Sequence, residues 1–434
     1  MLPDVYASLN PSMRASQRPT VLILSNGIGL TAADRNLTND LADGFVAGGS
    51  EVIVAAIDWS GRGRGADGLV VLPNGVEVFY VPPWSFNRAG AFIRNASKWL
   101  FSSVVASRRI GRAYRDRPVH MVVASSPLIT CGYLILWARR LPGAKLLAYL
   151  TDFFPFHQRA AGQIPGGPVL RAGAVIETFL MRRFDAVACM SPAGLEYLRS
   201  HYRLRPEQRT GIVRLWGETS APPPIAEREL RARFSLPAGP IAIFGGQISE
   251  GRGIEDILAA AVLAKQRGLA VTFLFVGAGR LEPLVRRHIE HGGDNVLLLP
   301  PVGRDAYLHL LSACTVALVA TVANTGVPTF PSKTIDYLRA GLPVVAAVED
   351  STDYSAFVEE NGFGIATSAG DIPAYVDAIA TLMNDELRRA QMAAAGRTAL
   401  ARHFDPDVAA ATMMELALGG RHPGKRVDAA GAAP

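Results

Sequence analysis

A chain of 434 residues is too long for one ordinary α/β core and suggests two similar domains. Its hydrophobic residues, 49% of the total, are spread along the chain, which excludes extensive disorder, and no uninterrupted apolar stretch approaches the roughly 18 residues of a spanning helix. The net charge of +6 is uneven: residues 1–225 hold 25 Lys and Arg against 15 Asp and Glu, and residues 226–434 hold 19 against 23, so the first half is expected to meet something anionic.

Residues 1–19 mix Pro, Ser and Arg without the apolar block of a secretory signal and read as an extension, with the cytoplasm as the expected compartment. A buried-strand run at 20–24, a glycine turn at 25–29, a helical stretch to Ala47 and a strand at 51–57 form an opening βαβ unit. Gly27, Gly29 and Ala32 fit the dinucleotide fingerprint, and Asp58 ends the second strand. Alone this spells an NAD-dependent oxidoreductase; it equally describes a plain turn that lets the first loop approach the opposite domain.

Residues 84–117 interleave Trp84, Phe86, Phe92, Trp99 and Phe101 with eight Lys and Arg side chains. Such a stretch suits either an anionic membrane surface or a packed helix with a solvated basic face. No nucleic-acid motif accompanies the charge, and nucleic acid is not expected as a partner.

Further strands at 77–81, 120–124, 145–150 and 186–190 extend the first domain over 20–216. Asp152, following the strand at 145–150, is placed to orient or deprotonate an acceptor hydroxyl, with His157 as the alternative base. The three cysteines, Cys131, Cys189 and Cys314, lack metal-ligand spacing and read as buried thiols.

Pro222, Pro223 and Pro224 can continue neither helix nor sheet, so 217–226 reads as a hinge. The βα rhythm then restarts over 227–400, with strands at 241–244, 270–276, 295–299, 316–319 and 344–347. A helix at 401–418 is placed to return to the first domain, and 419–434 reads as a disordered tail. Two facing Rossmann-like sheets with a cleft at their carboxyl ends follow.

Glycine turns end the restarted strands. Gly245, Gly246 and Gln247 precede Arg252, whose planar fork suits phosphate, and Gly277 ends the next strand. In the segment 329–343, Pro331 and Ser332 start a short helix whose free N–H groups suit a diphosphate. Lys333 adds a point charge there, and Asp336 is placed to accept from ribose hydroxyls. The bland alternative is a capped surface helix with solvated charges.

With these residues assembled, the chain resembles the family-4 retaining glycosyltransferases of the GT-B fold, in particular the bacterial branch that builds capsule, O-antigen and exopolysaccharide. The family's donor pattern is a Glu, seven residues, and a second Glu heading a helix that ends Ala-x-Gly-x-Pro. Asp336 stands in the second Glu's place, Pro328 in the first's, and Ala340 to Pro343 at the helix end. The family's Arg/Lys pair falls on Gln247 and Arg252, so one cation survives and Lys333 is the candidate for the other. The resemblance implies sugar transfer with retention from a nucleoside diphosphate sugar to a saccharide or lipid-linked saccharide, in cell-surface polysaccharide biosynthesis. It implies Arg252 and Lys333, with Asp152, as the catalytic groups, and Gly246, Gln247, Gly277, Pro331, Ser332 and Asp336 as the donor site. No cofactor beyond the substrate and no metal cluster is expected. A sugar-nucleotide epimerase of the same fold is the second rival to the transferase.

Overall fold

The computed structural model describes residues 18–31, 34–58, 67–84 and 91–419, with 91–100 described by backbone alone. The expected extension at 1–17, Ala32, Phe86 and the expected tail at 420–434 lie outside these residues, as do the side chains of Phe92 and Trp99.

The first unit alternates β1 (Thr20–Ser25), α1 (Leu37–Ala47), β2 (Glu51–Ile57), β3 (Gly68–Val71), β4 (Glu77–Val81), α2 (Ala91–Ala113), β5 (Met121–Ser125), α3 (Gly132–Ala138) and β6 (Lys145–Leu150). It continues through α4 (Phe156–Ala160), α5 (Pro168–Met181), β7 (Ala186–Cys189), α6 (Pro192–His201) and β8 (Arg209–Ile212). The strands form one sheet in the order β3-β4-β2-β1-β5-β6-β7-β8, parallel except for the hairpin partner β3.

After the linker come α7 (Glu227–Arg233), β9 (Ile241–Gly245), α8 (Ile254–Gln266), β10 (Thr272–Val276), α9 (Glu282–Glu290), β11 (Val296–Leu299), α10 (Arg304–Ser312) and β12 (Val316–Ala320). The unit ends with α11 (Lys333–Arg339), β13 (Val344–Val348), α12 (Tyr354–Glu360), β14 (Gly364–Ser368), α13 (Ile372–Asn384), α14 (Glu386–His403) and α15 (Pro406–Leu418). Its six strands are all parallel in the order β11-β10-β9-β12-β13-β14. Two doubly wound Rossmann-like sheets result, each with a switch point where the strand order reverses: β1/β5 in one and β9/β12 in the other.

Strands such as Val52–Ile57 and Val344–Val348 are buried residue after residue, as parallel strands covered on both faces must be. On one face of the first sheet, Leu134, Ile135, Leu180 and Leu198 pack from α3, α5 and α6. On the other lie Leu41 and Phe45 of α1 beside Ala410, Met413 and Met414 of α15. The last helix thus covers the first sheet, and Gly44 makes room for it, since a Cβ there would stand 2.4 Å from the Pro406 carbonyl oxygen.

The linker is clamped. Trp216 Nε1 donates to the Leu37 carbonyl at 2.6 Å, Gly217 N–H donates to the Phe404 carbonyl at 3.0 Å, and Arg339 reaches the Ser220 carbonyl at 2.5 Å and Glu218 at 2.7 Å. Asp353 of the second unit accepts from the N–H of Ala193 in the first turn of α6 at 3.2 Å, joining the units at a second point.

Three strands escape the sequence pattern. β3, β8 and β14 are short edge strands, β8 and β14 of mixed polarity, such as Arg209-Thr210-Gly211-Ile212, and their existence depends on the neighbour they pair with. The helix expected to follow the first glycine turn directly starts only at Leu37, capped by Asn36, whose side chain accepts from the Thr38 N–H at 2.9 Å.

Candidate active site

Beside the β9/β12 switch point, the glycine turns after β9 and β10 and the end of β11 are stitched together through their backbones. Gly246 N–H donates to the Val276 carbonyl at 2.9 Å, Gly277 N–H to the Leu299 carbonyl at 3.1 Å, and Ile248 N–H to the Ala278 carbonyl at 3.0 Å. Gly277 adopts φ +146°, and a Cβ there would fall 1.9 Å from the Gly246 carbonyl oxygen. Its missing side chain is therefore taken up by the neighbouring turn, whereas Gly246, at φ +120°, is exposed with open space where a Cβ would be. Gln247 is exposed beside it.

Arg252 and Lys333, 81 residues apart in sequence, meet over these turns. Arg252 ends the loop after β9, one residue before Gly253, the left-handed residue that opens α8. Lys333 is the first residue of α11, and its Nζ stands 3.4 Å from the centroid of the Phe244 ring, a cation over an aromatic face. Desolvation holds the pKa of both groups down, and the charge of Arg252 presses that of Lys333 further, well below the ordinary lysine value. Both side chains still reach solvent. Protein crowds them while a path to water stays open, the condition of groups lining a cleft.

Glu349, at the end of β13, is the residue that sequence reasoning missed. It is buried, accepts from the N–H of Thr329 at 3.1 Å and its hydroxyl at 2.6 Å, bonds the Thr321 hydroxyl, and its charge supports Arg252. It ties the segment between β12 and α11 to the sheet. The available signal was an acid closing a run of five apolar strand residues.

The short donor helix departs from expectation in two ways. Ser332 takes the N-cap position but is itself in the helical region and makes no capping bond with its side chain, so it is not the cap that its residue type suggested. Pro331 is buried behind it. Asp336 pairs with Arg304, at the start of α10, at 3.3 Å, and burial raises its pKa while Arg304 and Arg339 oppose the rise. A ribose would share this carboxylate with Arg304.

Across the cleft, the Asp152 backbone N–H donates to the Ser126 hydroxyl oxygen at 3.0 Å, and its Oδ2 accepts from Gln158 Nε2 at 3.2 Å. Its Oδ1 is buried and has no partner, and burial raises its pKa. His157 accepts from the Phe153 N–H through Nδ1 at 3.3 Å, and burial with the charge of Arg252 lowers its pKa to about 4. The neutral ring then carries its proton on Nε2 and is a donor toward its surroundings, so the role of alternative base does not fit it. The coupling of His157 to Arg252, with Ala161 4.0 Å from the Cβ position of Gly251, brings the acceptor-side segment against the loop after β9.

The first glycine loop lines a cavity of about 280 Å³ at the β1/β5 switch point with Asn26, Asn36 and Ser125. Gly29 serves the packing of that loop: a Cβ would stand 2.3 Å from the Asp34 carbonyl oxygen, while Asn39 bonds both the N–H and the carbonyl of Gly29 at 2.9 Å. Gly27, at φ +155°, faces the cavity. Because α1 starts eight residues after Gly29, its N-terminus does not rise out of the glycine turn as a dinucleotide site requires, which counts against the oxidoreductase reading.

Known proteins fit this geometry. A family model described as glycosyl transferase 4-like domain matches residues 35–216, and one described as glycosyl transferases group 1 matches residues 239–385, together more than half of the chain. The chain belongs to the 4-like, group 1 glycosyltransferases. A D-inositol 3-phosphate glycosyltransferase of Xylanimonas cellulosilytica is 28% identical over 236 residues, covering 48% of this chain and 54% of that protein. The probable glycosyltransferase WbjE of Pseudomonas aeruginosa is 32% identical over 124 residues, 28% of this chain and 30% of its own. The chain thus spans about half or less of the curated relatives it matches.

Among solved structures, sucrose-phosphate synthase from Thermosynechococcus elongatus superposes with a TM-score of 0.67 at 16% identity, covering 92% of this chain and 98% of that one. HepE of Anabaena, crystallised with UDP-glucose, gives 0.64 at 16% identity over 91% and 98%. WaaG, a glycosyltransferase involved in lipopolysaccharide biosynthesis, gives 0.60 at 14% identity over 92% and 100%. These likenesses fix the GT-B fold of this glycosyltransferase. Among its described residues no helix is long and apolar enough to cross a membrane.

Proposed function

We propose that this glycosyltransferase moves a sugar from a nucleoside diphosphate sugar to the hydroxyl of a lipid-linked saccharide, with retention, in the assembly of cell-surface polysaccharide. The observation that carries the donor half is the pairing of Arg252 and Lys333 over the glycine turns. Two cations crowded into a cleft repel each other and favour an anion between them. A leaving diphosphate supplies that anion, and its charge grows as the bond to the sugar breaks.

In the step itself the C1–O bond to the diphosphate breaks and the acceptor oxygen bonds to C1. The acceptor's proton passes to Asp152, whose raised pKa and unpartnered Oδ1 suit a proton acceptor. Asp336 holds the ribose in exchange with Arg304. Gly246, Gln247, Pro331 and Ser332 border the diphosphate, Gly277 fixes the turn beneath, and the cavity at Gly27 takes part of the acceptor. Support for a lipid-linked acceptor comes from the basic stretch at 84–117, suited to an anionic membrane face, and from the lipopolysaccharide role in the name of WaaG. Retention rests on the likeness of the donor helix to the family pattern.

Thermal stabilisation by UDP, GDP, their sugars and NAD(H) tests the reading, because a ligand with a Kd near ~0.1 mM raises the melting temperature at millimolar concentration. A shift with one nucleoside diphosphate, abolished by Lys333→Ala, is expected. A shift with NAD(H) alone would overturn the proposal.

A further inference from the structure

The helices on the outer side of the first sheet carry two features that the cleft does not use. Between the C-terminal half of α2 and α3 lies a groove of about 560 Å³, with Arg108, Arg112, Arg115 and Arg140 around a floor that includes Tyr133 and Trp137. All four arginines are exposed. Their neighbours are engaged: Arg109 with Asp67, Arg117 with Glu51 and Glu77, and Arg139 with Asp185. Among the described residues the groove's four arginines have no such partner, and Asp116 is the one acidic residue between 84 and 117. Four unmatched charges around one concavity call for an anion.

The second feature is α5, which turns an apolar stripe to solvent. Val169, Val175, Ile176 and Phe179 are 45%, 68%, 42% and 46% exposed, while Leu180 and Met181 face the core. Arg183 stands with its guanidinium 4.0 Å from the Phe179 ring centroid, at the end of the stripe. Since α3 packs against both α2 and α5, groove and stripe share one side of the domain. α5 also adjoins the segment that carries Asp152, because Gly173 lies against Pro155 and Phe154.

An apolar ridge beside a cluster of arginines matches the two layers of a lipid interface, acyl chain below and phosphate above. A nucleic acid or a free phosphate would satisfy the arginines and leave the ridge in water. We propose that this side of the domain docks on an anionic phospholipid membrane, with the α5 stripe entering the interface and the α2–α3 groove seating a phosphate headgroup. The docking rests for its purpose on the lipid-linked acceptor, yet its test needs no turnover.

Flotation of the full chain with vesicles of phosphatidylcholine alone, or with phosphatidylglycerol added, reads the docking directly. Wild type is expected to float with the anionic vesicles and not with the neutral ones. The combined variant Arg108→Gln, Arg112→Gln, Arg115→Gln, Arg140→Gln should lose roughly a hundredfold or more in partitioning. The variant Val175→Ser, Ile176→Ser, Phe179→Ser should lose the binding that survives high salt. Both should keep the wild-type melting temperature and turnover on a short water-soluble acceptor. Failure of wild type to float at low salt, or equal flotation of the arginine variant, overturns the docking surface and leaves the transferase reading standing. Flotation without any response to nucleoside diphosphates overturns the transferase reading and leaves the surface.

Discussion

The two edges of the cleft are built on different principles. On the β9/β12 side the glycine turns are bonded backbone to backbone and Glu349 anchors the next segment, so the two cations stand on a fixed floor. On the β1/β5 side Asp152 Oδ1 and Gln158 Oε1 are buried without partners, and the glycine loop borders an open cavity. A rigid edge suits a group common to every donor, the diphosphate. An edge with unmet hydrogen bonds suits an acceptor that arrives from outside and supplies them.

The largest effect should come from the rigid edge. Lys333→Ala or Arg252→Ala is expected to lower kcat by about 10² to 10³, the scale of removing one preorganised charge stabiliser, with the melting temperature unchanged. Wild-type rates in both variants, measured with a competent donor, would remove the diphosphate from this position. Asp152→Asn should cost about 10² in kcat while donor binding by calorimetry stays intact. Weakened nucleotide binding in that variant would erase the division of labour between the edges.

Stability separates the edges in a different way. Gly277→Ala forces a Cβ against the Gly246 carbonyl at a strained φ and should cost about 2–4 kcal/mol in chemical denaturation, whereas Gly27→Ala, at a φ of +155° beside the open cavity, should cost about 1–2 kcal/mol. Equal losses would mean that the two loops are equally rigid.

Two pH effects follow with opposite signs. The pKa of Lys333 is held down in the free enzyme, so a bound diphosphate raises it, and binding takes up a proton. Affinity should weaken as pH rises through the depressed pKa of Lys333, an effect that Lys333→Arg removes in titration calorimetry. His157 has its folded pKa depressed from 6.5 to about 4, so its share of stability is present above pH 6.5 and is lost as pH falls toward 4. His157→Gln should flatten the fall in melting temperature over that window, an effect of a few degrees.

Much of the fold was legible because buried parallel strands such as Val344–Val348 announce themselves as apolar runs ending in glycine turns. The alternation of these runs with helices, and the restart after Pro222 to Pro224, determined two doubly wound units from sequence alone. The candidates Arg252, Lys333 and Asp336 were legible too, since charged residues at strand and helix ends in glycine-rich turns have few structural reasons to be there. Tertiary structure alone decided that Arg252 and Lys333 meet, that Phe244 carries the lysine, that Glu349 supports the arginine and that Arg304 shares Asp336. Each is a contact between distant segments, set by how two sheets order their strands, and no local pattern encodes it. The same holds for Gly277 and Gly29, whose glycines read as ligand loops in sequence and prove to be required where one backbone passes close to another.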